Sequence, residues 1–192
     1  MNEPDRMPYG ELASDVKEVL ISTAELQQRV QELGRAISGD YAGLNPLVVG
    51  VLKGVVLFMA DLLRAITIPM EVDFLAVSNY SPEARGSGLV RLEKDLSTPI
   101  TGRHVLFLED VVDTGLTLNY LLHTLRARQP ASLEVCALFN KPAHRLIDMP
   151  LKYVGFDLPD RFVVGYGLDF HEKYRNLPFV CLLKPEAMHN HK

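Results

Sequence analysis

The chain alternates between short continuous apolar runs and stretches in which apolar residues recur at helical spacing. The continuous runs are too short for comfortable helices and predict buried strands. The main predicted strands cover residues 15–21, 47–52, 70–78, 105–108 and 133–139, with shorter ones at 89–92, 152–155, 162–164 and 179–183.

Three stretches between these strands predict helices. The first begins at a capping box, Ser22-x-x-Glu25, and ends at Gly39. The second covers residues 55–66. The third has apolar residues at i, i+3, i+4 and i+7, namely Leu118, Leu121, Leu122 and Leu125. Because strands and helices alternate, we expect an α/β fold whose central, mostly parallel sheet is flanked by helices.

The segment from residue 105 to residue 118 combines a strand, two acids, a turn and a helix. Glu109 and Asp110 follow the buried run, and the turn Asp113-Thr114-Gly115 precedes the helix. In an open parallel sheet, ligands bind at the carboxyl ends of the strands. This segment is therefore the first candidate for a binding site.

The turn has the features of a phosphate site. The first N–H groups of a helix have no intrahelical partners and lie at the positive end of its dipole, and Gly115 allows an anion to approach closely. The carboxylates of Glu109 and Asp110 accept hydrogen bonds only, so they suit vicinal sugar hydroxyls, directly or through a metal. Together these features indicate a ribose 5-phosphate. The alternative is a plain helix start beside two solvated acids, because a lone Asp-Thr-Gly is a weak motif.

Length and composition limit the other possibilities. With 192 residues, 47% of them hydrophobic, we expect a single domain over residues 1–192, with loose tails at 1–11 and 185–192. A net charge of −4 argues against a general nucleic-acid binder. We find no signal peptide and no membrane-spanning run. The only cysteines, Cys136 and Cys181, lie in apolar segments, which indicates buried thiols and a cytoplasmic protein.

The run from Glu109 to Thr117 resembles the signature of the phosphoribosyltransferases, and within them the hypoxanthine-guanine branch. Glu-Asp, two aliphatic residues, Asp-Thr-Gly and a threonine two residues on all stand unbroken. The resemblance extends over about residues 16–183. It implies the type I phosphoribosyltransferase fold, with a small hood built from the chain ends. It also implies transfer of a phosphoribosyl group from 5-phosphoribosyl diphosphate (PRPP) to hypoxanthine or guanine, with Mg²⁺, in a homodimer or homotetramer.

The resemblance also assigns roles on the PRPP side of the site. Asp113 would be the general base or would hold the purine in the right tautomer. Lys53, Gly54 and Arg175 would hold the pyrophosphate. The metal ligands would be Glu109 and Asp110, with Asp169 binding a second Mg²⁺. The full set expected to contact PRPP is Glu109, Asp110, Asp113, Thr114, Gly115, Leu116, Thr117, Lys53, Gly54 and Arg175. In this family the Leu-Lys-Gly loop often contains a cis peptide, which the sequence cannot show.

Four residues are implied to bind the purine, namely Lys141, Phe162, Val163 and Val111. Lys141 would donate to the six-position oxygen and Phe162 would stack on the base. Asn79 and Tyr80 would open an active-site loop over residues 79–88, where the family usually has Ser-Tyr, so Asn79 departs from the pattern.

Simpler interpretations exist for several of these residues. Lys53 and Lys141 fit ordinary surface lysines, and Asp169 with Arg175 fits a surface ion pair. Two other functions also stay open. One is a xanthine-preferring or broad 6-oxopurine transferase, and the other is a non-catalytic regulator that binds PRPP or nucleotides.

Overall fold

A computed structural model describes residues 9–79 and 90–189. The strands are β1 (Val16–Ile21), β2 (Leu47–Leu52), β3 (Glu71–Asn79), β4 (Val90–Lys94), β5 (His104–Val112), β6 (Ser132–Asn140), β7 (Tyr153–Asp157) and β8 (Val180–Leu183). The helices are α1 (Thr23–Asp40), α2 (Val56–Ala65), α3 (Leu116–Arg126) and α4 (Pro185–His189). Short 3₁₀ turns occur at Gly10–Asp15 and Pro142–His144.

Six strands form the central sheet in the order β4-β3-β2-β5-β6-β7. All neighbours pair in parallel except β4, which runs antiparallel to β3 at the edge. Successive side chains of a strand point to opposite faces. Val48 and Leu106 therefore pack in the core beneath α1 and α2, whereas Leu47 and Phe107 pack beneath α3. The predicted α/β architecture is confirmed.

A second, smaller sheet is formed by the two ends of the chain. β1 pairs antiparallel with β8, as expected for the hood. The Tyr174 hydroxyl donates to Asp15 at 2.8 Å, and the Lys184 N–H donates to the Asp15 carbonyl at 2.8 Å. The hydroxyl of Tyr166 donates to Asp61 of α2 at 2.6 Å and so joins the segment before β8 to the main layer.

The structure differs from the sequence-based prediction at several element ends. β5 continues past residue 108 to Val112, because Val111 and Val112 still pair with β6. The prediction of a strand at residues 162–164 is wrong. Only an isolated bridge from Val164 to Cys181 forms there, and positive φ angles at the three following residues bend the chain away.

The predicted tails contain some regular structure. Residues 185–189 form α4, in which Ala187 is buried. Tyr9 packs edge-to-face on Phe179, with ring centroids 5.2 Å apart. The predicted loop at 79–88 falls outside the described residues apart from the backbone of Asn79, which ends β3.

Two predictions from composition are tested directly. Cys136 and Cys181 are both buried and free. Among the helices of the described ranges, none is long and apolar enough to cross a membrane.

Candidate active site

The turn between β5 and α3 has the geometry of an anion site. Gly115 precedes the helix with φ of +82° and has no side chain to cap it, and the Leu116 N–H makes only a long hydrogen bond of 3.4 Å to the Thr114 hydroxyl. Because the first N–H groups of a helix lack intrahelical acceptors, this end of α3 offers free donors and a positive dipole. A cavity of about 200 Å³ opens here, lined by residues 109–115, Thr117 and Leu118.

The segment after β6 supports this turn from behind. The N–H of Leu146 donates to the Thr114 carbonyl at 3.0 Å. A Cβ at Gly115 would lie 3.2 Å from the Met149 methyl and 3.3 Å from the Ile147 carbonyl. Both the left-handed backbone and the lack of space therefore require glycine at this position.

Glu109 and Asp110 occupy the end of β5 rather than a loop beyond it. Burial raises the pKa of Glu109 well above its ordinary value, and the charge of Asp110 raises it further. Burial also raises the pKa of Asp110, although the N–H of Val111 donates to its carboxylate at 2.7 Å. Within the described structure the Oε2 atom of Glu109 is buried without a hydrogen-bond partner. Both acids are therefore desolvated and Glu109 has an unsatisfied oxygen, a combination that is typical of binding sites.

The Lys53-Gly54 loop lies directly against these acids. The Leu52–Lys53 peptide bond is cis. A Cβ at Gly54 would collide with the Asp110 carboxylate, and one at Gly167 would collide with the Gly54 carbonyl. Three segments distant in sequence therefore meet here, and neither glycine position has room for a side chain.

The two cations expected to hold pyrophosphate are joined through Glu172. Lys53 Nζ lies 2.9 Å from Glu172, and Arg175 lies 3.2 Å from Glu172 and 2.8 Å from Asp169. The hydrogen bond from Lys53 lowers the pKa of Glu172, with a smaller contribution from the Arg175 charge. A polyanion approaching this side would meet cations that carboxylates already hold in place.

A second cavity of about 220 Å³ adjoins the first. Its lining consists of Asp110, Val111, Asp113, Lys141, Phe162, Val163, Leu168 and Asp169. Phe162 is 50% exposed and packs edge-to-face on Phe170, with centroids 5.7 Å apart. Lys141 Nζ donates to the Arg161 carbonyl at 3.0 Å. The cavity thus combines an open aromatic face with an oriented cation, a combination suited to a flat polar ring.

Asp113 lines both cavities and is held by a residue that sequence analysis missed. The Nδ1 atom of His144 lies 2.8 Å from Asp113, and its Nε2 atom forms an ion pair with Asp160. The hydrogen bond with Asp113 raises the pKa of His144, and Asp160 adds to the effect.

The structure brings together almost all the residues predicted for the site. The exceptions are Asn79, described only by its backbone, and Tyr80, which lies outside the described residues. Glu109 lines only the first cavity and Asp169 only the second. No three His, Cys, Asp or Glu residues of the described chain are grouped to hold a metal. Sequence analysis missed His144, Asp160 and Glu172, because isolated residues with long-range partners carry no local pattern.

Comparison with known proteins identifies relatives along nearly the whole chain. A family model described as the phosphoribosyl transferase domain matches residues 19–171. The hypoxanthine-guanine phosphoribosyltransferase of Streptococcus agalactiae serotype V is 49% identical over 175 residues, which cover 91% of this chain and 97% of that protein.

The bifunctional protein TilS/HprT of Listeria monocytogenes is 48% identical over 173 residues, or 90% of this chain. The chain spans only 27% of that longer protein. Among solved structures, a hypoxanthine phosphoribosyltransferase from Staphylococcus aureus superposes with a TM-score of 0.87 and 41% identity. That match covers 94% of this chain and 99% of the other.

Proposed function

The chain belongs to the phosphoribosyltransferase family, in its hypoxanthine-guanine branch, and on this basis we propose that it transfers phosphoribosyl groups from PRPP to hypoxanthine or guanine. The products are the nucleotide and pyrophosphate. The observation that carries the proposal is the pair of adjoining cavities, one at a helix start and one beside an aromatic ring, with Asp113 in the lining of both.

The first cavity suits the donor sugar. Residues 113–117 are proposed to bind the 5-phosphate through the N–H groups at the start of α3 and the hydroxyls of Thr114 and Thr117. Glu109 and Asp110 are proposed to bind the ribose hydroxyls, since buried carboxylates without enough donors gain most from new ones. Anchoring the distant phosphate lets its binding energy favour the strained transition state.

The second cavity suits a 6-oxopurine. Lys141 is a donor without an acceptor, so it favours a keto oxygen over the amino group of adenine. Its ammonium is oriented by the Arg161 carbonyl, which leaves other N–H groups for the purine. Phe162 is proposed to stack on the ring, while Val111 and Val163 line the remaining surface.

The residues present fit Mg²⁺ as the family implies. Magnesium takes few protein carboxylates and shares its other positions with water and substrate phosphates, so a three-residue cluster is not required. Glu109, through its buried and unpartnered oxygen, and the adjacent Asp110 would hold one ion, and Asp169 on the pyrophosphate side would hold a second. When bound, these ions would supply charge neutralisation between the acids and the donor.

The reaction assigns separate tasks to the residues of this chain. The bond from the anomeric carbon to pyrophosphate breaks, and the leaving group keeps the electron pair. Lys53 and Arg175 are placed to stabilise its charge once they exchange their carboxylate partners for phosphate oxygens. A purine imidazole nitrogen bonds to the anomeric carbon of the oxocarbenium-like sugar, and Asp113 accepts the purine proton.

Further features belong to the same proposal. We assign the whole chain to one catalytic domain and expect a homodimer or homotetramer. The two buried free cysteines are in keeping with a reduced compartment, which supports a cytoplasmic enzyme. The participation of Asn79 and Tyr80 in an active-site loop stays a prediction.

One assay tests the proposal and separates it from the alternatives. The protein is supplied with PRPP, Mg²⁺ and, in turn, hypoxanthine, guanine, xanthine and adenine, and nucleotide formation is followed. We expect rapid product with hypoxanthine or guanine and none with adenine. Xanthine as the best substrate would instead support the broader 6-oxopurine enzyme, and PRPP binding without turnover would support a regulator.

A further inference from the structure

We propose that His144 is a positioning residue for the reaction, which as an imidazolium holds the Asp113 carboxylate in place between the two cavities. The inference rests on the proposed function, since it concerns the proposed general base. His144 belongs neither to the motif of residues 109–117 nor to the residues proposed to bind the purine.

The geometry of the ring specifies its protonation state. Nδ1 lies 2.8 Å from an Asp113 oxygen, and Nε2 forms an ion pair with an Asp160 oxygen. Ionised carboxylates accept hydrogen bonds and never donate them, whereas a neutral imidazole has only one N–H. Both contacts are therefore satisfied together only when both ring nitrogens are protonated.

The cationic side chains near His144 bind groups other than its imidazole. Lys141 donates to the Arg161 carbonyl at 3.0 Å, and Arg145 donates to Asn140 at 2.7 Å. The Arg161 guanidinium lies 3.7 Å from Glu18. The groups that face the imidazole are thus the carboxylates of Asp113 and Asp160, one from each adjoining segment. Both favour the charged ring, in line with the raised pKa of His144.

The contact joins three parts of the site. His144 ends the short turn after β6, Asp113 belongs to the phosphate turn, and Asp160 precedes the purine-side residues Phe162 and Val163. When the ring loses a proton it keeps only one donor, so one carboxylate is released. Either Asp113 becomes free to rotate, or the purine-side segment loses its connection to the phosphate turn.

This arrangement predicts that part of the decline of kcat at alkaline pH is caused by deprotonation of His144. Because the pKa of His144 is raised, the bridged state persists to higher pH than an ordinary histidine would allow, and it is lost as the pH rises through the pKa of the folded protein. The substrate purine also ionises in alkali, but that ionisation is common to all variants of the enzyme. Comparing variants on one substrate therefore isolates the histidine.

The test compares the pH profiles of kcat and of KM for PRPP in the wild type and three variants. His144→Gln removes the charge, His144→Arg keeps two donors and a charge at every pH, and His123→Gln changes an exposed histidine of α3 as the matched control. We expect His144→Gln to lower kcat at neutral pH about tenfold, less than the roughly 10²–10⁴-fold that a general base contributes, because Asp113 itself is retained. Its KM for PRPP should change less than its kcat.

The dependence of kcat on alkaline pH provides the second test. The wild type and His123→Gln should share the alkaline decline, whereas His144→Arg should restore kcat and lack the part of the decline due to His144. A His144→Gln enzyme with wild-type kcat, or with an unchanged alkaline decline, would overturn the proposal. Failure of every form, wild type included, to make nucleotide would instead refute the proposed function.

A titration without substrate distinguishes failure of the His144 proposal from failure of the proposed function. NMR titration of the His144 ring should give a pKa above the ordinary value of histidine, and Asp160→Asn should lower it. An ordinary pKa for His144, or one insensitive to Asp160→Asn, would show that the bridge does not form in solution.

Discussion

At the scale of single residues, Glu109 is a member of the candidate site whose burial lowers the stability of the fold. Its carboxylate is buried, one of its oxygens has no partner in the described structure, and its pKa is raised. An acid whose folded pKa exceeds its unfolded value destabilises the fold as the pH rises above the unfolded pKa, here about 4.5. Substrate hydroxyls or a metal ion would relieve this cost.

Glu109→Gln should therefore stabilise the protein in the absence of ligand and metal. At pH 7–8 we expect a gain of about 1–3 kcal/mol, the usual cost of an unsatisfied buried polar group. The gain should shrink as the pH falls through 4.5, below which the carboxyl group is protonated in both states. Thermal unfolding against pH measures it, with Glu93→Gln on the exposed edge strand as the control. A destabilised Glu109→Gln at neutral pH would contradict this account of the site.

Asp113→Asn separates catalysis from donor binding. The amide keeps an oxygen that can accept the His144 N–H but cannot take up a proton from the purine. We expect kcat to fall by about 10²-fold or more, with KM for PRPP within a few-fold of wild type. Steady-state kinetics measures both, and unchanged turnover would remove Asp113 as the base.

Lys141→Ala tests the purine cavity. A hydrogen bond from a charged donor contributes about 1.5–3 kcal/mol, so KM for hypoxanthine and guanine should rise about tenfold or more. KM for PRPP should change little, because Lys141 lines only the second cavity. Equal changes in KM for the purine and KM for PRPP would show that Lys141 does not recognise the purine.

At the scale of elements, local patterns predicted the interior of each element better than its ends. The Ser22–Glu25 capping box forms as expected, with both reciprocal hydrogen bonds present. β5 nevertheless runs to Val112, since its last residues are stabilised by pairing with β6 rather than by their own sequence. The segment at 162–164 has the composition of a strand but lacks a continuous partner.

Asp73 illustrates a connection between elements that no pattern predicts. Burial would raise its pKa, but hydrogen bonds from Phe74, Thr98, Lys94 and Ser97 leave the pKa below its ordinary 3.8. One oxygen accepts from Phe74 and Lys94, and the other accepts from Ser97 and Thr98. The carboxylate thus joins β3 and β4 to the segment that follows them.

Asp73→Asn should destabilise the fold by about 1–3 kcal/mol. The NH₂ group of the asparagine cannot accept a hydrogen bond, so it would leave unpaired the N–H donors that bond to one carboxylate oxygen of Asp73. The loss should be present above pH 3.8 and should diminish as the pH falls through the native pKa of Asp73. Denaturant unfolding measures it. The exposed Asp95–Arg128 pair supplies the control, since Asp95→Asn should cost no more than about 1 kcal/mol. Equal effects of the two substitutions would contradict the role given to Asp73.

At the scale of the whole molecule, the site is assembled from segments far apart in the chain. The turns after β2, β5 and β6 meet residues 162–175, which lead into the hood. The motif of residues 109–117 was predictable because it is continuous and combines a strand, acids and a helix start. Glu172 and the His144–Asp160 pair were not predictable, because their partners are distant in the sequence: Lys53 is 119 residues from Glu172, and Asp113 is 31 residues from His144.

The central claim is that the α3 start holds the sugar phosphate while the Lys141 cavity holds the base. A crystal structure with bound inosine 5′-monophosphate tests it most directly. We predict phosphate oxygens within about 3.2 Å of the N–H groups of residues 113–117, and the six-position oxygen of the purine at hydrogen-bonding distance from Lys141. A phosphate bound elsewhere, or a purine outside the cavity beside Phe162, would contradict the account.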